Sequence, residues 1–363
     1  MTSTSLKPLI YPVYFVFQEN TDDLQKLLKD SDAKPVEILL DEIYQHFSQV
    51  TSHTAPINWA LQTFLYLKRK GLDVHLTSNY VPNQICIVPY DFLSTRGFIS
   101  NAYVVACQYD RGRPQICHQR IVQNKLNVID KTDHFIPHWP QPNLIPRDPS
   151  RGFALKNLGY KGREYNLASP FKQPDFLKQL EAMEIALSFS NSNSDLRGAW
   201  QDWNSYQEID VILAVRNSPP YHLDFKPASK LVNAWMAGCP ALLGPEPAYQ
   251  QLRQSELDYI EVQNPDDIIS ALQRLKQDSS LYEAMVKNGL HRAKEFTPDK
   301  ICDRWQDVLA GPITQGYEQW RQEPAPKKAF NKSAGLVWQV LRHRQIRNDF
   351  WQNVRNNPKP FAE

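Results

Sequence analysis

The sequence predicts an α/β chain of two doubly wound domains, and three observations predict it. Short, near-continuous apolar runs such as Gln84–Pro89 (QICIVP) and Ala102–Cys107 (AYVVAC) read as strands buried on both faces of a parallel sheet. Longer segments with apolar residues at helical spacing alternate with such runs in both halves of the chain. Between the halves, Phe135–Arg151 holds five prolines in seventeen positions. Proline fixes φ and removes an N–H, so this stretch is a stiff extended connector and marks a domain boundary.

The elements follow in order. Leu9–Phe17 (LIYPVYFVF) is too short to span a bilayer, contains Pro12 and runs into Gln18-Glu19-Asn20 without a small-residue cleavage site. It reads as a buried first strand, not a signal peptide. Asp22–Leu28 and Val36–Val50 carry helix-period apolar residues. Ile57–Arg69 (INWALQTFLYLKR) reads as an amphipathic helix stopped by Gly71, and Asp73–Thr77 as a strand. After the connector, Phe153–Tyr160 reads as a strand running into a turn at Gly159–Gly162. Phe171–Leu187 reads as a helix, Ile209–Val215 as a β-branched strand and Pro227–Ala237 as a helix. Pro240–Leu243 and Tyr259–Val262 are short strands, with a helix over Pro247–Arg253 between them. Pro265–Lys276 and Ser279–Lys294 are helices, the first opening on Asp266-Asp267, which suits the helix dipole. The expected domains are 1–140 and 141–320. Residues 321–363 are set apart by nine Lys/Arg against three Asp/Glu and by apolar residues at three- and four-residue spacings, the pattern of a basic amphipathic helix.

Charge and motifs exclude several functions. With 41 Lys+Arg against 39 Asp+Glu among 363 residues, nothing global points to a nucleic-acid partner. Five widely spaced cysteines with no CxxC fit neither a disulfide framework nor a structural zinc site, so a cytoplasmic chain with reduced thiols is expected. A G-x-G-x-x-G, a P-loop and a G-x-S-x-G elbow are all missing. The one D-x-D, Asp30-Ser31-Asp32, ends a polar helix and reads as a surface turn, not a metal site.

Asp224–Leu252 is the informative segment. Lys226-Pro227 opens the predicted helix, whose first N–H groups are free to meet an anion. Lys226 and Lys230 lie four apart, on one helical face, with Ser229 between them. Two ammonium groups, a hydroxyl and a helix N-terminus form a candidate diphosphate cradle.

The run Asn233–Leu243 (NAWMAGCPALL) resembles the E-A-M-A-x-G-x-P-V-V block of GT-B glycosyltransferases. The preceding EIDVILAVR resembles that family's A-D-V-x-x-x-P-S strand, and the two helices after Pro265 resemble its closing helices. The resemblance covers roughly Phe153–Leu309 and implies a GT-B fold: two Rossmann-like domains facing across a cleft, with the final basic helix crossing back to the first. It implies a glycosyltransferase that moves a sugar from a nucleoside-diphosphate donor to a glycan, lipid-linked or small-molecule acceptor, as in polysaccharide biosynthesis. No bound metal or other cofactor is expected, because cations and helix N-termini neutralise the leaving diphosphate. By position, Lys226, Ser229 and Lys230 would bind the diphosphate. The turn Gly159-Tyr160-Lys161-Gly162-Arg163 resembles the family's glycine loop, which adds Gly162 and Arg163 to the donor site.

The two acids of many retaining members would fall at Phe225 and Asn233, and neither is acidic. Asn233 would take the nucleotide-binding place, with Glu246 as a replacement acid. An inverting transfer needs a base on the acceptor side. The candidates are Asp91, just after a predicted strand, and His138 in the connector; His53 is a weaker one, and Arg96 and Arg111 read as solvated. The alternatives are a non-catalytic nucleotide- or sugar-binding protein of this fold, identified by donor binding without turnover, and a nucleotide-sugar epimerase, identified by turnover without acceptor. The basic helix also admits peripheral contact with the inner face of a membrane.

Overall fold

A computed structural model describes residues 8–19, 22–29, 33–47, 54–190, 202–324, 326–327 and 333–361. Asp30-Ser31-Asp32 and His53 lie outside them. The chain divides into two compact units. Unit 1 holds Met1–Ile43, Thr51–Pro137 and Pro298–Arg355; unit 2 holds Tyr44–Val50, His138–Thr297 and Asn356–Glu363. Each is built on one parallel sheet.

Among its described residues unit 1 carries six strands: β1 (Val13–Val16), β2 (Val74–Thr77), β3 (Ile85–Pro89), β4 (Tyr103–Cys107), β5 (Gln119–Val122) and β6 (Asp133–Phe135). They run in the order β2-β1-β3-β4-β5-β6, every pair parallel. The chain starts in the interior of the sheet, goes to one side for β2 and returns for β3, so β1 and β3 flank a topological switch point. β3 and β4 are buried along their whole length, as continuous apolar runs require.

Strands β5 and β6 are additions to the sequence reading. Their polar residues mask the strand pattern. Buried Asp133 explains how they are tolerated: it meets Arg113 at 3.0 Å and Arg120 at 3.5 Å and accepts from the backbone N–H groups of Ile129 and Asp130. Ile57–Arg69 also differs from the amphipathic helix expected. Ile57–Gln62 is a π-helical segment continued by an α-helix over Thr63–Arg69, and the Thr63 hydroxyl donates to the Asn58 carbonyl. Every residue of Trp59–Leu67 is buried, so the helix runs through the core instead of lying on it. It ends at Gly71, whose φ of +80° is the left-handed conformation that glycine adopts without strain.

The chain returns to unit 1 at Pro298, earlier than the expected boundary at 321. The reason is packing. The Pro298–Val308 helix buries Ile301, Cys302 and Trp305, and the Trp305 ring lies 6.1 Å from Phe15 and 6.2 Å from Trp59. The last helix, Ala334–Asn356, buries His343 and Phe350 in the same unit.

Unit 2 carries β7 (Asn157–Tyr160), β8 (Ala186–Phe189), β9 (Val211–Ala214), β10 (Ala241–Leu243) and β11 (Ile260–Glu261), in the order β11-β10-β9-β7-β8 and parallel throughout. Its core gathers Leu158, Val211, Leu213, Leu242, Leu272 and Met285 from the strands and the helices over Pro265–Gln277 and Ser279–Ala293. Phe171–Leu187 is not one helix. Pro174 opens a helix that ends at Ala182; Glu184, at φ +57°, turns the chain, and β8 follows at the sheet edge. The helix expected from Pro227 begins at Ser229, with Ala228 in the capping position, and stops at Gly238, at φ +70°. Pro265–Gln277 opens with a reciprocal capping box between Asn264 and Asp267.

Asp210, immediately before β9, fixes the entrance to this unit. Its buried carboxylate accepts from Arg147 at 2.9 Å, from Arg151 at 2.7 Å and from the backbone N–H groups of Lys156 and Asn157. It therefore ties the end of the proline-rich connector to β7 and β9. Burial alone would raise its pKa. The bonds from Arg151, the two backbone groups and Arg147 outweigh that and hold it below the usual carboxylate value.

Candidate functional site

In unit 2 the strand order reverses between β7 and β9: β8 lies beyond β7, and β10 lies beyond β9. Open parallel sheets take ligands outside the carboxyl ends of the strands at such a reversal. Tyr160, Lys161 and Gly162 leave the end of β7 here, and Val215 and Arg216 leave the end of β9. The Ser229–Ala237 helix begins at the same place, and the first N–H groups of any helix have no intrahelical acceptor.

These elements bring charge together. The Lys230 ammonium donates to the Lys161 carbonyl and lies 5.0 Å from the centre of the Tyr160 ring. A side chain at Gly162 would place its Cβ 2.9 Å from that ammonium, so the glycine leaves the room Lys230 occupies. Arg216 forms an ion pair with Glu246, which is 1% exposed. The Lys161 ammonium donates to the Asp202 carbonyl at 2.8 Å and lies 5.3 Å from the Tyr206 ring.

The titration behaviour follows from that crowding. Burial, then the neighbouring charge of Arg216, pushes Lys230 down to about 7; Glu246 pulls the other way and Lys161 adds to the depression. Burial raises the Glu246 carboxyl, opposed by Arg216, Lys230 and Lys226. One buried carboxylate thus faces Arg216, Lys230 and Lys226. The Tyr249 hydroxyl, also buried, is a further side-chain donor that favours its charged form. A single buried carboxylate outnumbered by cations is an arrangement that an anionic ligand would complement.

The residues singled out from sequence divide into two groups. Lys226, Ser229, Lys230, Gly162 and Glu246 are gathered at this edge. Lys226 does not share a helical face with Lys230 as expected, because it precedes the helix, in the turn after Pro220–Leu223. Asn233 and Arg163 point elsewhere. Asn233 is buried and its Oδ1 accepts from the Gln141 backbone at 3.0 Å, a tie between helix and connector. Arg163 donates to the Tyr165 hydroxyl at 3.0 Å and lies over that ring. Sequence reasoning gave no role to Lys161 or Arg216, although Lys161 directly follows β7 and Arg216 stands two residues past β9, at the carboxyl ends of their strands, which is the available signal.

The acceptor-side candidates are placed as follows. Asp91 belongs to unit 1. It sits in a turn over Tyr90–Phe92 directly after β3, beside that sheet's own reversal point. Its backbone N–H donates to the Tyr109 hydroxyl at 2.9 Å. Its carboxylate lies 3.8 Å from Arg111, so Arg111 is not simply solvated. Tyr109 is held at φ +35°, a conformation that costs energy for a residue with a side chain and recurs at functional sites. His138 belongs to unit 2. Its Nδ1–H donates to the Trp139 carbonyl at 2.6 Å, which leaves Nε2 as the basic nitrogen.

Among the described residues, no group of three or more His, Cys, Asp or Glu side chains is arranged to hold a metal ion. Nor is any helix long and apolar enough to cross a membrane.

No family model matches the chain, and no curated protein matches it. Among solved structures it is similar to Alr3699/HepE of Anabaena, a structure in complex with UDP and glucose, at 11% identity over 83% of this chain and 99% of that one, with a TM-score of 0.48. It is also similar to a glycosyltransferase from Rickettsia africae ESF-5, at 7% identity over 86% and 99% of the two chains, with a TM-score of 0.45. A sucrose-phosphate synthase from Thermosynechococcus elongatus is similar at 13% identity over 77% and 78%, with a TM-score of 0.40. Each is a likeness in fold, and the site in unit 2 is read from its own residues.

Proposed function

We propose that the chain is a GT-B glycosyltransferase that uses a nucleoside-diphosphate sugar and needs no bound metal, with the donor diphosphate held in unit 2 by Lys230, Arg216, Lys226 and the start of the Ser229–Ala237 helix. The observation that supports the reading is the surplus of cations around buried Glu246 at the sheet's reversal point. In sugar transfer the bond from the anomeric carbon to the diphosphate oxygen breaks, and the electron pair leaves with the diphosphate. Cations already aimed at that oxygen stabilise the developing charge without reorganisation. Ser229 adds a hydroxyl donor at the helix start. Glu246 Oε1 accepts a hydroxyl of the ribose or of the sugar.

On the acceptor side, Asp91 is the proposed base that takes the proton from the attacking hydroxyl, with His138 second to it. The acceptor is a glycan, a lipid-linked sugar or a small molecule, and the chain works in the cytoplasm. Asp91→Asn is expected to keep donor binding and lose transfer by about 10²–10⁴-fold, the usual worth of a general base. Undiminished turnover in that variant removes Asp91 from the role.

Lys230 makes donor binding depend on pH. Its ammonium titrates near 7 in the free protein. A phosphate beside it favours the charged form, so its pKa in the complex is higher. Affinity is therefore full below about 7 and falls above it, by up to about tenfold per pH unit for one proton, until the pKa of the complex is passed. Calorimetric titration of a nucleotide sugar between pH 6 and 9 reads this directly (buffer range chosen to bracket a titration near 7). An affinity that is flat across the range contradicts the assignment of Lys230 to the phosphate.

A further inference from the structure

The Ala334–Asn356 helix has two unlike faces. The inner one is tied down within unit 1. His343 Nδ1 accepts from the Gln115 backbone at 3.3 Å and the ring lies 5.6 Å from Tyr90. Phe350 is buried, and Gly112 approaches it so closely that a Cβ there would stand 3.0 Å from the Phe350 Cβ.

The outer face carries Val337, Leu341 and Arg344 at spacings of four and three, with Trp338 and Arg342 beside them. Helix geometry puts these on one side. Val337, Trp338 and Leu341 are 61%, 57% and 59% exposed. The Arg342 guanidinium lies over the Trp338 ring, 5.0 Å from its centre. The helix carries Arg342, Arg344, Arg347 and Arg355 against the single acid Asp349.

We propose that this face seats on an anionic phospholipid surface, with Val337, Trp338 and Leu341 entering the headgroup boundary and the flanking arginines on lipid phosphates. Three arguments favour lipid. Leaving three large apolar side chains in water costs free energy that burial in the acyl boundary regains. Tryptophan is at home at that boundary, and the arginine stems cover apolar surface while their heads reach phosphate. The net positive charge of the helix complements a sheet of negative headgroups. The helix would lie in the plane of the membrane, since it is not apolar enough to cross one. The proposal is independent of the nucleotide site.

The test is flotation of the full-length chain with vesicles of phosphatidylcholine alone and of phosphatidylcholine mixed equally with phosphatidylglycerol. The chain is expected to float with the mixed vesicles and not with the neutral ones, and less at high salt. The double variant W338S/L341S should lower the bound fraction by about tenfold or more, and Arg344→Gln by about fivefold. Both change outward side chains, so the melting temperature should stay at the wild-type value, which shows that a loss of binding is not a loss of folding. Failure to float with the mixed vesicles overturns the proposal, as does flotation that W338S/L341S leaves unchanged. A dimer in sedimentation that this variant dissociates overturns it too, by making the face an interface between copies.

Discussion

Lys230→Met is expected to lower sugar transfer by about 10²–10³-fold, the usual worth of one donor aimed at developing negative charge, while making the ligand-free protein more stable. The opposite signs follow from one cause. In the folded protein burial strips part of the ammonium's solvation and Arg216 and Lys161 repel its charge, so its pKa falls from 10.5 to about 7. A lysine whose pKa is depressed on folding binds fewer protons folded than unfolded between those two values, so stability rises with pH across that interval. The burden is therefore greatest at and below about pH 7, and the gain from removing it should shrink as pH rises toward 10.5. Melting temperatures of both proteins at pH 6.5, 8 and 9.5, chosen to span the shift from about 7 to 10.5, check this. A purely structural lysine would give the reverse: lower stability in the variant and unaltered donor binding.

Asp210→Ala should damage unit 2 more than any change at the ligand edge. The carboxylate is fully buried and meets two guanidinium groups and two backbone N–H groups. Removing it deprives Arg147 and Arg151 of the carboxylate they are paired with and leaves two strand-end donors without that acceptor. Breaking a buried pair in this way costs about 3–5 kcal/mol, which for a unit of this size lowers the melting temperature by roughly 6–20 °C. Asp210→Asn keeps an acceptor in place and should lose less. Acid should reproduce the effect in the wild type, because a carboxylate held below its usual pKa gives stability that disappears as pH falls through the folded-state value. Melting of Asp210→Ala at the wild-type temperature would show that the connector is anchored by other contacts.

The sequence discloses these features unequally. Strands such as β3, β4 and β9 are legible because each is buried on both faces and reads as one apolar run. β5 and β6 are not, because their buried positions include Arg120 and Asp133, which neutralise each other only in three dimensions. β8 is hidden because Leu180, Met183 and Leu187 keep a three- and four-residue spacing across the break; the break is the turn at Glu184. In the candidate site, Lys230 is legible from its place at a helix start. Its meaning is not, since that depends on Arg216 and Glu246 arriving from other strand ends. Asn233 shows the reverse: it matches a family position by spacing, while its side chain is taken up by the connector.

A thermal-shift panel reads whether the cationic edge of unit 2 holds a nucleoside diphosphate. UDP-, GDP-, ADP- and dTDP-sugars would be added at saturating concentration to the wild type, to Lys230→Met and to Arg216→Ala. A ligand that binds only the native state raises the melting temperature, by about 2.7 kcal/mol of added stability at one hundred times its Kd. The melting temperature should rise with one class of base, undiminished without added magnesium, and stay unchanged in both variants. No rise with any nucleotide sugar, or an equal rise in the wild type and in Lys230→Met, would contradict diphosphate binding at this edge.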